Sequence, residues 1–189
     1  MKRSPEGKHF AFEPIPSLYN ELKKSFDGRN VIFSDIALSD RKGEATFNYV
    51  LDAPAYSGLK KRDYQVKEPE IEVLNVKLDT LDHVIPEDYR VDFIKLDVEG
   101  GEFDVLKGAR QTLEKHKPYI IFEFGLGASD HYNVVPETFF EFMNQADYGI
   151  YLLQDFLGNR LPLSLAQFLK TYLSNSEYYF VAAASGRKP

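Results

Sequence analysis

The stretch VDFIKLDVEGGEF, residues 91–103, decides the fold of this chain. Its first half is apolar, rich in strand-forming residues and too short for a helix, which predicts a buried strand. Gly100 and Gly101 then interrupt the pattern. Beyond them, apolar residues return at spacings of three and four, typical of an amphipathic helix: Phe103, Leu106, Ala109 and Leu113. We therefore predict a strand–turn–helix unit whose single helix ends near His116.

Three carboxylates follow the predicted strand within six residues, namely Asp97, Glu99 and Glu102. Ligands of open α/β sheets bind outside the carboxyl ends of the strands, so these side chains are candidate functional groups. A structural interpretation stays open. Acidic residues are also favoured at a helix N-terminus by the helix dipole, and aspartate is common in turns.

A second strand, residues 9–12, ends at Glu13 because Pro14 cannot continue a ladder. Ser17 is the predicted cap of the helix that follows. In nucleotide-binding α/β folds, a carboxylate at such a strand end accepts hydrogen bonds from ribose hydroxyls. Glu13 is therefore a candidate ribose ligand, and a strand-ending turn is the alternative.

Composition excludes several function classes. The chain has 189 residues, suits one domain and contains no cysteine, which excludes disulfides and cysteine-ligated metal sites. A formal net charge of -6 argues against binding nucleic acid. No apolar run has the length of a membrane span, and residues 1–8 lack signal-peptide character. We expect a cytoplasmic protein that does not enter membranes.

A third group of candidates lies after the predicted strand 119–124. Glu123 stands near its end, and His131 lies in the small, polar loop 125–132. Either could act as a general base, as could Glu99, and His131 could instead be solvated. The carboxylates could also hold a divalent cation, but no ligand spacing singles one out, so we predict no metal site.

The long polar segment 52–70 separates two further predicted strands, 44–50 and 71–76, which we expect to pair as a hairpin. A loop of this length is often a lid or disordered. Its basic cluster, Lys60, Lys61 and Arg62, could recruit an anionic acceptor or simply be solvated.

The run DFIKLDVEGGE at 92–102, followed by VLKGA at 105–109, resembles the FkbM-type family of S-adenosylmethionine-dependent methyltransferases. The resemblance implies O-methylation of a small-molecule or sugar hydroxyl. It also implies that Asp97 and Glu99 line the methyl-transfer crevice and that Asp97 contacts the cofactor. Residues 36–39 resemble the family's adenine-side loop, which makes Asp35, Ile36 and Ala37 cofactor-binding candidates, although Asp35 could equally be a turn residue.

The resemblance further implies a Rossmann-like, three-layer class I methyltransferase fold of the α/β class. We expect one domain over residues 1–189, with a mostly parallel sheet and the hairpin inserted before the central strand. The family's first strand, first helix and glycine-rich loop have no counterpart before His9. We therefore expect this chain to bind S-adenosylmethionine weakly or not at all, and an N-terminally extended version to bind it. Unpaired strand edges would favour a homo-oligomer.

Two other functions remain open. A non-catalytic binding module could keep the fold without the cofactor loop. A nucleotide-binding oxidoreductase could use Glu13 in the same way, because a strand-end acid also suits dinucleotides.

Overall fold

The computed structural model describes residues 6–62 and 68–187, and these form a mixed α/β fold. The described strands are β1 His9–Phe12, β2 Val31–Ser34, β3 Ile36–Leu38, β4 Gly43–Val50, β5 Ile71–Asp79, β6 Phe93–Leu96, β7 Tyr119–Glu123, β8 Tyr148–Leu152 and β9 Tyr179–Ala184. The described helices are α1 Pro16–Ser25, α2 Leu81–Val84, α3 Glu102–Lys107, α4 Arg110–His116, α5 Pro136–Gln145, α6 Leu153–Leu157 and α7 Leu165–Ser174. Short 3-10 turns occupy Pro54–Tyr56 and Ser129–Tyr132.

The strands form three hydrogen-bonded sheets, with the orders β1-β2, β3-β5-β4 and β6-β7-β9-β8. Three pairings are parallel, β1 with β2, β3 with β5 and β6 with β7, and the other three are antiparallel. The α/β class is confirmed, but the prediction of one mostly parallel sheet is wrong. The predicted sheet is first interrupted at Asp35. Before this residue β2 pairs with β1, and after it β3 pairs with β5. The second interruption lies between β1 and β6. In the described part of the chain, these two strands are not hydrogen-bonded to each other.

The strand–turn–helix unit at 91–103 is confirmed as β6, a turn and α3. The single helix predicted after it is wrong, because α3 ends at Lys107 and α4 begins at Arg110. A Cβ on Gly108 would lie 2.1 Å from the carbonyl oxygen of Ser39, so the backbone packs closely at the break. The new helix start is capped by the carboxylate of Asp82, which accepts the N–H groups of Gln111 and Thr112, both at 2.8 Å.

The N-terminal unit ends its strand as predicted, since β1 stops one residue before Glu13. Ser17 is not the helix cap, because α1 begins at Pro16 with proline at its first position. Instead, Oε1 of Glu13 accepts the N–H of Ile15 at 2.8 Å. One oxygen of this carboxylate therefore stabilises the turn between β1 and α1.

The main core lies beneath the four-stranded sheet. It is dominated by stacked and edge-on aromatic rings, with Phe124 and Phe139 only 4.2 Å apart between centroids. A second, smaller core centres on Phe47, Val76 and Leu78 beneath the predicted hairpin. The hairpin itself is confirmed, since β4 and β5 pair antiparallel over their length.

The segment after β4 is solvated only in part: Lys60 and Lys61 are exposed, whereas its middle packs against the protein. Ser57 and Gly58 are buried, and the hydroxyl of Ser57 accepts the N–H of Val50 at 3.0 Å. Residues 63–67 of the predicted lid lie outside the described residues. Among the helices of the described residues, none combines the length and apolar character needed to cross a bilayer.

Candidate functional site

Four side chains lie near one another at the carboxyl ends of β6 and β7. Leu96 pairs with Phe122, so Asp97 and Glu123 follow side by side on parallel strands. Glu123 pairs in turn with Tyr179 on antiparallel β9. We call the region of Asp97, Glu99, Glu123 and Tyr179 the strand-end crevice.

Asp97 is the most exposed carboxylate of the β6 turn. Its side chain is 42% exposed, and Oδ2 accepts a charged hydrogen bond from Nζ of Lys95 at 2.6 Å. In the described residues no protein donor engages Oδ1. Asp97 can therefore accept a hydrogen bond or a proton from a ligand.

Glu99 is held in a different way. Its backbone is left-handed, with φ 56°, which is uncommon for a residue other than glycine. Its carboxylate pairs with the guanidinium of Arg62, and the two side chains are only 21% and 12% exposed. Burial raises the pKa of Glu99, and the charge of Arg62 partly offsets that rise. As it stands, this carboxylate is engaged by the protein.

Glu102 turns out to be a structural residue. It is 1% exposed, and Oε1 accepts the N–H groups of Val98 at 3.0 Å and Gly100 at 3.4 Å. Burial raises its pKa to about 7. The structural interpretation of the acidic cluster is thus correct for Glu102, which braces the turn that presents Asp97 and Glu99.

Tyr179 was missed by the sequence analysis. The carboxylate of Glu123, on the neighbouring strand, raises the pKa of its hydroxyl to about 12. Tyr179 is 44% exposed, so it faces solvent at the crevice. Only strand pairing brings Glu123 and Tyr179 together, because they are distant in sequence.

A second polar region lies past the ends of β1 and β2. The N–H of Glu13 donates to Ser34 at 3.0 Å, which brings Glu13 beside Asp35. Asp35 lines a cavity of about 340 Å³ together with Pro14, Tyr19 and Asn75. Burial raises the pKa of Glu13. This region offers carboxylates, an amide and an aromatic ring to a polar ligand.

Two adenine-side candidates occupy a strand rather than the predicted loop. Ile36 and Ala37 lie in β3, where they pair with Lys77 and Leu78 of β5. Ala37 is 8% exposed and packs in the smaller core. The loop prediction for 36–39 is wrong, whereas a cofactor role for Ile36 and Ala37 stays a prediction.

His131 lies in the 3-10 turn Ser129–Tyr132, partly buried. The same turn carries Tyr132, whose ring would lie 3.1 Å from a Cβ added at Gly100 and 3.5 Å from one added at Gly101 in the β6 turn. His131 therefore belongs to an element that packs on the crevice, and its catalytic role stays a prediction. Within the described ranges, no group of three or more histidine, aspartate or glutamate side chains is placed to hold a metal ion.

A family model described as the methyltransferase FkbM domain matches residues 1–150. This chain belongs to the FkbM methyltransferase domain family. The match includes the second polar region, the β6 turn, Glu123 and the 3-10 turn of His131, whereas Tyr179 lies beyond the matched residues.

One solved structure is similar to this FkbM-domain chain, the crystal structure of Methyltransferase FkbM from Methylobacillus flagellatus KT. The two are 16% identical with a TM-score of 0.49, and the alignment covers 93% of this chain and 36% of that one. The chain thus spans about a third of the length of that protein. A search of curated proteins gives no match.

Proposed function

We propose that this chain acts as an S-adenosylmethionine-dependent methyltransferase on a hydroxyl of a small molecule or sugar. The observation that carries the proposal is the FkbM-domain match across residues 1–150. The acidic residues that follow β1 and β6 support it, because α/β folds bind nucleotides at the carboxyl ends of their strands.

The residues of the second polar region suit the adenosyl half of the cofactor. Glu13 would accept the ribose hydroxyls through the oxygen that does not bind Ile15. Asp35, exposed at the cavity with Tyr19, would accept the adenine amino group, and Ile36 and Ala37 continue from it. A cavity of about 340 Å³ is at the lower end of the range of small-molecule sites.

When bound, S-adenosylmethionine supplies an electrophilic methyl group. The chain's own residues would position the acceptor and take its proton. Asp97 is the preferred base, because Lys95 engages only Oδ2 and leaves Oδ1 for the hydroxyl proton. Glu123, which lies opposite Tyr179 on the neighbouring strand, would orient the acceptor, and Glu99 and His131 remain alternative bases.

A ligand-observed NMR experiment tests the proposal. We expect saturation transfer from the chain to the adenine and ribose protons of S-adenosylhomocysteine, with weak affinity, and little transfer to the nicotinamide of NAD. Glu13→Gln and Asp35→Asn should each weaken the signal several-fold, since each removes one charged acceptor. Asp92→Asn is the matched control, because Asp92 is exposed at the opposite end of β6.

The same experiment separates the alternatives. Transfer to NAD but not to S-adenosylhomocysteine would favour an oxidoreductase. The absence of saturation transfer to either ligand would favour a non-catalytic binding module. One observation favours that module: Glu99 and Glu13 are both already engaged by protein groups.

We also propose that the chain self-associates through its open strand edges. The N–H groups of His9 and Glu13 donate to Asn30, just before β2, and to Ser34, its last residue, so the backbone groups of Phe10 and Phe12 face the other edge. Tyr119 donates to Asp92, so Phe93 and Lys95 of β6 likewise face away from β7. In the described residues no strand pairs with these edges, and such edges template association.

Sedimentation velocity is expected to show a concentration-dependent dimer. Phe93→Glu should shift it toward monomer, because Phe93 is 55% exposed on the open edge of β6. Val73→Glu should not, because Val73 is equally exposed, at 60%, on a strand already paired with β4. A wild-type chain that sediments as a monomer at every concentration contradicts this proposal.

We further propose a single domain over residues 1–189, which the chain length supports, and a cytoplasmic location, with which the lack of cysteine is consistent. Limited proteolysis and cell fractionation would test them.

A further inference from the structure

Three loops meet at the strand-end crevice, and one arginine joins them. Arg62 follows β4, Glu99 follows β6, and Gly127 follows β7. The guanidinium of Arg62 pairs with the carboxylate of Glu99, and its Nε donates to the carbonyl oxygen of Gly127 at 2.8 Å. The same guanidinium lies over the ring of Tyr56, 5.4 Å from its centroid.

The segment that ends at Arg62 is fastened at its other end as well. We call residues 57–62 the strap. Gly58 exchanges backbone hydrogen bonds with Asn48 of β4, at 2.9 and 3.1 Å. An added Cβ on Gly58 would lie 3.6 Å from the hydroxyl of Tyr132 and 3.7 Å from Cβ of Glu99. The strap therefore runs from β4 directly across the turn that carries Glu99.

We propose that Arg62 holds the strap closed and thereby controls access to the carboxylate of Glu99. We call its contacts with Glu99 and Gly127 the latch. The inference goes beyond the proposed function, because it does not depend on which ligand the crevice binds. Its physical basis is the mutual dependence of two partly buried charges. Without Arg62, the charge of Glu99 would be unpaired beneath the strap. Opening of the strap would then be favoured, because it lets water solvate this charge. Tyr56 and Gly127 would lose the same partner.

The remaining basic residues of the strap do not share this role. Lys60 and Lys61 are exposed, whereas the Arg62 side chain is only 12% exposed. Lys61→Gln therefore removes the same charge from the same segment without touching the latch. It serves as the matched control for Arg62→Gln.

Carboxylate labelling with a carbodiimide and glycine ethyl ester, read by mass spectrometry, tests access directly. Arg62→Gln is expected to raise labelling of Glu99 by roughly tenfold, because local opening of the strap exposes this carboxylate to the reagent. Labelling of the exposed Asp97 should stay within about twofold of wild type, and Lys61→Gln should match wild type at both carboxylates.

Hydrogen exchange supplies a second readout on the same variants. Amides of residues 57–62 should lose protection in Arg62→Gln, whereas β8 and β9 should keep theirs, which shows that the variant is folded. The double variant Arg62→Gln with Glu99→Gln should exchange no faster than Arg62→Gln, because the pair is already broken. Unchanged labelling of Glu99, or unchanged protection of the strap, would overturn the proposal.

Discussion

Gly100→Ala is expected to lower the free energy of unfolding by about 3–5 kcal/mol. Gly100 has a φ of +102°, which alanine rarely adopts. A Cβ there would also lie 2.4 Å from the carbonyl oxygen of Ala128 and 3.1 Å from the ring of Tyr132. Both neighbours belong to the loop between β7 and α5, so this loop would have to withdraw from the β6 turn.

Urea unfolding at equilibrium measures this effect, and Gly127→Ala is the control. Gly127 also has a positive φ, +87°, but nothing lies within 4 Å of its added Cβ. The control should therefore show only the backbone strain, about 1–2 kcal/mol. Similar losses of unfolding free energy in the two variants would mean that the close approach of the two loops does not contribute to stability.

Glu102→Gln is expected to change how stability depends on pH. The pKa of Glu102 is raised by burial to about 7 in the folded state, against 4.5 ordinarily. Between these values the folded chain binds a proton that the unfolded chain has released. The stability that this proton provides is fully present below pH 4.5 and is lost as the pH rises through 7.

The measurement is the unfolding free energy of wild type and Glu102→Gln from pH 4 to 8. Glutamine keeps an acceptor for Val98 and Gly100 but never ionises. The unfolding free energy of the variant should therefore increase relative to that of wild type as the pH rises, by up to about 3 kcal/mol at pH 8. A flat difference for Glu102→Gln would contradict the account.

Local patterns in the sequence were sufficient to predict most elements. The apolar run and glycines at 91–103 predicted β6 and its turn, and Pro14 predicted the end of β1. The alternation on either side of residues 52–70 predicted the hairpin. These features depend on propensity and periodicity, which short windows contain.

Contacts between distant residues explain what the sequence could not predict. The break at Gly108 depends on the carbonyl of Ser39 and the carboxylate of Asp82. The pairing of Arg62 with Glu99 spans 37 residues, and that of Glu123 with Tyr179 depends on β9 lying beside β7. Likewise, the separate sheets follow from the interruption at Asp35 and the open edges of β1 and β6.

The central claim is that acidic residues at separate strand ends serve one adenosyl ligand. A crystal structure of the chain soaked with saturating S-adenosylhomocysteine tests it most directly. The account predicts the ribose hydroxyls on Glu13, the adenine beside Asp35 and the sulfur next to Asp97. A ligand bound elsewhere, or Glu13 and Asp97 on opposite faces of the molecule, would contradict it.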